Sequence, residues 1–104
     1  MSYKSIDPII YAWAKDRNLH VYTEHREEEV RSVDLVGTTG ERRCQLWIDA
    51  PEATGRVHIS IWDYQKRRQD VTATPENLLL CLEEAYAIAL NWLGAASDSI
   101  SPLL

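Results

Sequence analysis

Two segments near the middle of the chain alternate strictly between apolar and polar positions. In 43–49, Cys44, Leu46 and Ile48 interleave with Gln45, Trp47 and Asp49. In 56–64, Val57, Ile59 and Ile61 interleave with His58, Ser60, Trp62 and Tyr64. A period of two sends successive side chains to opposite faces of a sheet, so both segments predict strands with one aliphatic face. The intervening residues 50–55 are short enough for a hairpin. Upstream, Leu19, Val21 and Thr23 interleave with His20, Tyr22 and Glu24 and predict a strand over 19–25. Segment 30–36 is a second strand of mixed pattern. Val33 and Leu35 share one face while Val30 and Val36 fall on the other, which predicts a bulge or an edge position. Arg26-Glu27-Glu28-Glu29 reads as a charged turn, and Gly37-Thr38-Thr39-Gly40 as a hairpin turn. The polar stretch 66–74 predicts an exit from the sheet.

The pattern changes to helical spacing at both ends. Asp7-Pro8 predicts an N-cap and first helical position, and Ile9, Ile10, Trp13 and Ala14 follow on one face. Asn18 is a candidate left-handed stop, giving a helix over 8–17. The C-terminal helix is predicted to be capped by Thr74, to open at Pro75 and to close at Gly94. Its apolar residues, Leu78, Leu79, Leu82, Ala85, Tyr86, Ala89, Leu90, Trp92 and Leu93, cover two adjacent stripes. That is wider than one sheet contact requires. Leu82 and Ala89 lie in the middle of the stripe.

Short connections make the strands an antiparallel meander. The prediction is an α+β two-layer sandwich of order α-β-β-β-β-α. Two helices cover one face of a four-stranded sheet. Residues 1–94 form a single domain, and 95–104 a mobile tail. The inner face should hold Leu19, Val21, Val33, Leu35, Cys44, Leu46, Ile48, Val57, Ile59 and Ile61. The open face should present His20, Tyr22, Gln45, Trp47, Asp49, His58, Ser60, Trp62 and Tyr64. For the central pair, keeping both apolar sets on one side requires paired residue numbers to sum to an odd value. A sum of 105 sets Trp47 opposite His58, and 107 sets it opposite Ser60.

Composition narrows the function classes. The 104 residues are 45% hydrophobic and carry a net charge of −5, which argues against a general nucleic-acid binder. Between Arg42 and Arg68, six basic residues outnumber three acidic ones, so that segment is locally basic on an acidic chain. No apolar run approaches the ~20 residues that span a bilayer, and the first residues have no apolar core of a secretory signal. The expectation is a cytoplasmic protein without membrane contact. Cys44 and Cys81 then read as small hydrophobes rather than a disulfide.

No nucleotide-binding or hydrolase motif is present, and the histidines lack metal-ligand spacing. Cys44 and His58 fall on opposite sheet faces, which removes them as a nucleophile and base. No enzyme activity, cofactor or metal is therefore expected. The candidate site is the aromatic sheet face, Trp47, His58, Trp62, Tyr64 and Tyr22, because tryptophan and tyrosine dominate interface hot spots. A second candidate is the acidic surface of Glu27, Glu28 and Glu29, with Glu24, Glu83 and Glu84. In size, acidity and simple layout the chain resembles bacterial immunity and antitoxin proteins. That resemblance implies neutralisation of a basic protein partner through an acidic surface. It is also similar to small acidic secretion chaperones, which implies a homodimer formed through the C-terminal helix. A third reading is a single-stranded nucleic-acid binder using Trp62, Tyr64 and 66–68 as stacking platform and cations.

Overall fold

The computed structural model describes residues 2–37, 43–63 and 67–94. Helix α1 (Asp7–Asp16) leads into strands β1 (Tyr22–His25), β2 (Glu28–Val36), β3 (Arg43–Ile48), β4 (Val57–Asp63) and β5 (Arg68–Ala73), followed by helix α2 (Leu78–Leu93). The strands form one antiparallel sheet in sequence order, β1-β2-β3-β4-β5. The α+β meander with terminal helices is as the periodicity predicts, except that there are five strands rather than four. The fifth comes from the polar stretch expected to leave the sheet. As an edge strand, β5 needs only half an apolar pattern, which Val71 and Ala73 supply opposite Ile59 and Val57.

The inner face is closed. Val33, Cys44, Leu46, Ile48, Val57, Ile59 and Ile61 are buried with Leu78, Leu82, Ala85 and Ala89 of α2. Leu19 is only half-buried, and Val21 and Leu35 complete the predicted set. Helix α1 packs beside α2: Trp13 meets Tyr86 edge-on at 6.2 Å, and Arg17 pairs with Glu83. Asn18 takes the left-handed conformation (φ 56°) just beyond α1, and Gly94 (φ 83°) closes α2.

Three local expectations change. Asp7 is not the cap of α1; Ile6 holds that position, and the Asp7 carboxylate instead receives two hydrogen bonds from Arg31, at 2.7 and 3.0 Å. A sequence window cannot reveal a partner 24 positions away. Likewise, α2 begins at Leu78 rather than Pro75. Residues 75–77 form a turn in which Asn77 Oδ1 accepts hydrogen bonds from the Thr74 amide and hydroxyl. The first hairpin turn is also tighter than the charged run suggested. Only Arg26 and Glu27 lie between His25 and Glu28, and both have positive φ, 51° and 70°. Two-residue hairpin loops favour that geometry because it matches strand twist. The mixed pattern of 30–36 is resolved by the predicted irregularity. From Tyr22↔Ser32 to Glu24↔Glu29, β2 advances one residue more than β1.

Candidate functional site

The outer sheet face is built by register. At the central pair Trp47 lies opposite Ser60, the 107 alternative. One row across the sheet therefore runs Tyr22, Ser32, Trp47, Ser60, Asp70. The next runs Asp34, Gln45, Trp62, Arg68, and on the other side His58 faces Thr72. Among the described residues no helix lies over this face. Tyr22 is 46% exposed and Trp62 44%, while Trp47 and His58 are half-buried. Tyr64 lies outside the described residues.

The aromatic residues separate into two groups. Trp47 turns toward β1, where His25 meets it edge-on at 5.4 Å, and His20 meets Tyr22 edge-on at 4.6 Å. Trp62 sits apart, between Gln45 and Arg68 on the flanking strands. His58 is engaged by Glu52 of the β3–β4 turn at 3.2 Å. Trp47 is held by a relay of amides. Its Nε1 donates to Gln45 Oε1 at 3.1 Å, and Gln45 Nε2 donates to Asp34 Oδ1 at 3.1 Å. Beside it lies a concavity of about 210 Å³ lined by Tyr22, Glu24, His25, Ser32, Asp34, Gln45 and Trp47. His25, Ser32 and Asp34 were not site candidates from the sequence. Asp34 was legible by parity, since it shares the outer face of β2 with Ser32. His25 was not, because its approach to Trp47 depends on the bulged pairing of β1 with β2.

Charge is arranged unevenly. Glu27, Glu28 and Glu29 are exposed, but Glu29 also accepts a hydrogen bond from Arg31 at 3.1 Å. Glu83 is taken by Arg17. By contrast, no lysine or arginine among the described residues pairs with Glu24 or Asp34. The basic residues near Trp62 are committed: Arg68 to Asp70 at 3.3 Å, and Arg67 to Asp63 at 2.8 Å with its guanidinium over the Trp92 ring.

The cysteines lie away from this face. Cys44 is buried under α2, with Sγ 3.8 Å from the Ala89 carbonyl oxygen, and burial pushes its thiol up from the ordinary value. Cys81 is half-buried on α2, and desolvation raises it too. Neither is placed as an activated thiolate. No group of three or more metal-ligating side chains occurs among the described residues, and no helix there is long and apolar enough to cross a membrane. No protein-family model matches the chain, and comparison with curated proteins and with solved structures finds no similar protein.

Proposed function

We propose that this is a non-enzymatic binding domain that captures a basic protein partner through the outer face of its sheet. The observation that carries the reading is the combination on that face of Tyr22, Trp47 and Trp62 with the carboxylates of Glu24 and Asp34, which have no cationic partner among the described residues. Exposed aromatic surface of this kind marks interaction sites, and fixed acidic groups around it select a cationic partner. An immunity or antitoxin role would use the face in this way. The test compares the wild-type chain with a Trp47→Thr/Trp62→Thr variant in capture from native-host extract. The variant should keep its circular dichroism and a cooperative urea transition, destabilised by no more than about 1.5 kcal/mol, while losing a basic protein that the wild type retains. Retention of the same protein by both would overturn the reading.

A homodimer through α2 is the second reading, favoured by Leu79 and Leu80, which are 52% and 74% exposed. A sizing column with Leu80→Glu beside the wild type tests it. Single-stranded nucleic acid has less support, because Arg67 and Arg68 already have acidic partners.

A further inference from the structure

We infer that the concavity beside Trp47 is a seat for a single arginine side chain of the partner. The inference rests on the outer-face reading and deepens it. At about 210 Å³ the hollow falls short of the roughly 300–1,000 Å³ of sites that enclose drug-sized ligands. It suits one side-chain head. Its lining is of two kinds. Glu24 and Asp34 are carboxylates without a cationic partner among the described residues, and Trp47, His25 and Tyr22 supply ring surface. Carboxylates and aromatic rings together attract a cation by direct charge and by the ring quadrupole.

The choice of arginine over lysine follows from shape. A guanidinium is planar, stacks on rings and presents five donors in a fixed fork. It can therefore address two carboxylates at once. An ammonium is a compact point charge that surrenders its hydration more reluctantly. The wall is also set in advance. Gln45 uses its carbonyl oxygen to hold the Trp47 indole and its amide to hold Asp34 Oδ1, leaving Asp34 Oδ2 and the Glu24 carboxylate as acceptors. Side chains ordered before binding lose little entropy when the ligand arrives. The neighbouring exposed Glu27 and Glu28 at the β1–β2 turn add a negative field that speeds encounter.

The experiment titrates the full ¹⁵N-labelled chain with a hexa-arginine peptide at low salt and follows amide and indole cross-peaks. A hexa-lysine peptide is run beside it. Saturable shifts are expected at the Trp47 indole and at Tyr22, Glu24 and Asp34. Affinity for hexa-lysine should be at least about threefold weaker. A Glu24→Gln/Asp34→Asn variant should lose roughly tenfold in affinity, as expected when charge-assisted hydrogen bonds become neutral. A Glu27→Gln/Glu28→Gln variant should lose less than about threefold, since those carboxylates steer without contact. Equal losses in the two variants would reduce the effect to general acidity and overturn the seat. Equal binding of the two peptides, or no saturable shift at the Trp47 indole, would also overturn it. Shifts confined to Trp62, His58 and Thr72 would remove the seat while leaving the outer face as the binding surface. The outer face itself falls only if the Trp47→Thr/Trp62→Thr variant still captures the partner.

Discussion

The two faces of this sheet follow the same alternation and treat charge in opposite ways. On the inner face Arg31 and Asp63 are each only 6% exposed, and both are neutralised. Arg31 is gripped by Asp7 and lies over the Tyr3 ring at 4.3 Å. Asp63 accepts from both the backbone amide and the Nε of Arg67. On the outer face Glu24 and Asp34 have no such cation among the described residues. An unpaired charge is costly in a dry interior and cheap beside water. The inner face therefore completes its charges from within the chain, whereas the outer face pairs Arg68 with Asp70 and leaves Glu24 and Asp34 beside water.

The largest break in this comparison should come from Arg31→Ala. Asp7 holds the guanidinium protonated far above its ordinary range, with Glu29 helping and burial opposing. Removing one partner of a buried pair costs about 3–5 kcal/mol, because the other charge is left uncompensated. Asp7 keeps some water contact, so the lower end is expected. A urea melt reads the loss. A value below about 1 kcal/mol would put the pair on a par with a surface ion pair and erase the contrast between the faces. Next comes Leu82→Ala. The side chain is fully buried under the sheet, and large-to-small core changes of this kind cost about 2–5 kcal/mol. A change under about 0.5 kcal/mol would mean that α2 can settle into the space, which its close contact with the sheet argues against.

Much of this contrast was legible in the sequence, and the exceptions share a cause. The aliphatic positions of β3 and β4 announce themselves because period two is a local signal, and Asn18 and Gly94 mark helix ends by backbone preference alone. The candidate face was legible for the same reason, since Trp47 and Trp62 must point away from Leu46 and Ile61. What was hidden depends on pairing between distant segments. Arg31 shares the inner parity of Val33 and Leu35, but its partner Asp7, which leaves the cap position to meet it, lies 24 positions away. The aromatic partner of Trp47 is His25 rather than Trp62, a contact between segments 22 positions apart. Strand β5 escaped because an exposed edge has little apolar pattern to show.

Alkaline pH provides a third test, of the inner face alone. Burial pushes the Cys44 thiol above its ordinary 9.0, and burial with the nearby Asp49 charge pushes the Tyr3 phenol above 10.0. The unfolded chain then ionises first as pH rises and gains stability relative to the fold. Stability contributed by holding these groups neutral is fully present below pH 9.0 and is lost as pH climbs through the ordinary values toward the raised ones. The slope cannot exceed about 1.4 kcal/mol per pH unit for each group. Cys44→Ala should remove that thiol's share and leave those of Tyr3 and of Cys81, whose thiol desolvation also raises. Identical slopes with and without the thiol would mean that Cys44 ionises freely in the fold.

The smallest effect should belong to Trp62, and its smallness is informative. Trp47 has an indole hydrogen bond and an edge contact with His25, so Trp47→Thr should cost about 1 kcal/mol. Trp62 has neither among the described residues and is 44% exposed. Threonine is a good strand former at an exposed position. Trp62→Thr should therefore change stability by no more than about 0.5 kcal/mol, the usual range for surface substitutions. Its fluorescence should also be the more accessible to iodide when each tryptophan is kept singly. A loss from Trp62→Thr equal to that from Trp47→Thr, together with equal protection from iodide, would mean that Trp62 is covered. The outer face would then be a second interior rather than a surface held open for a partner.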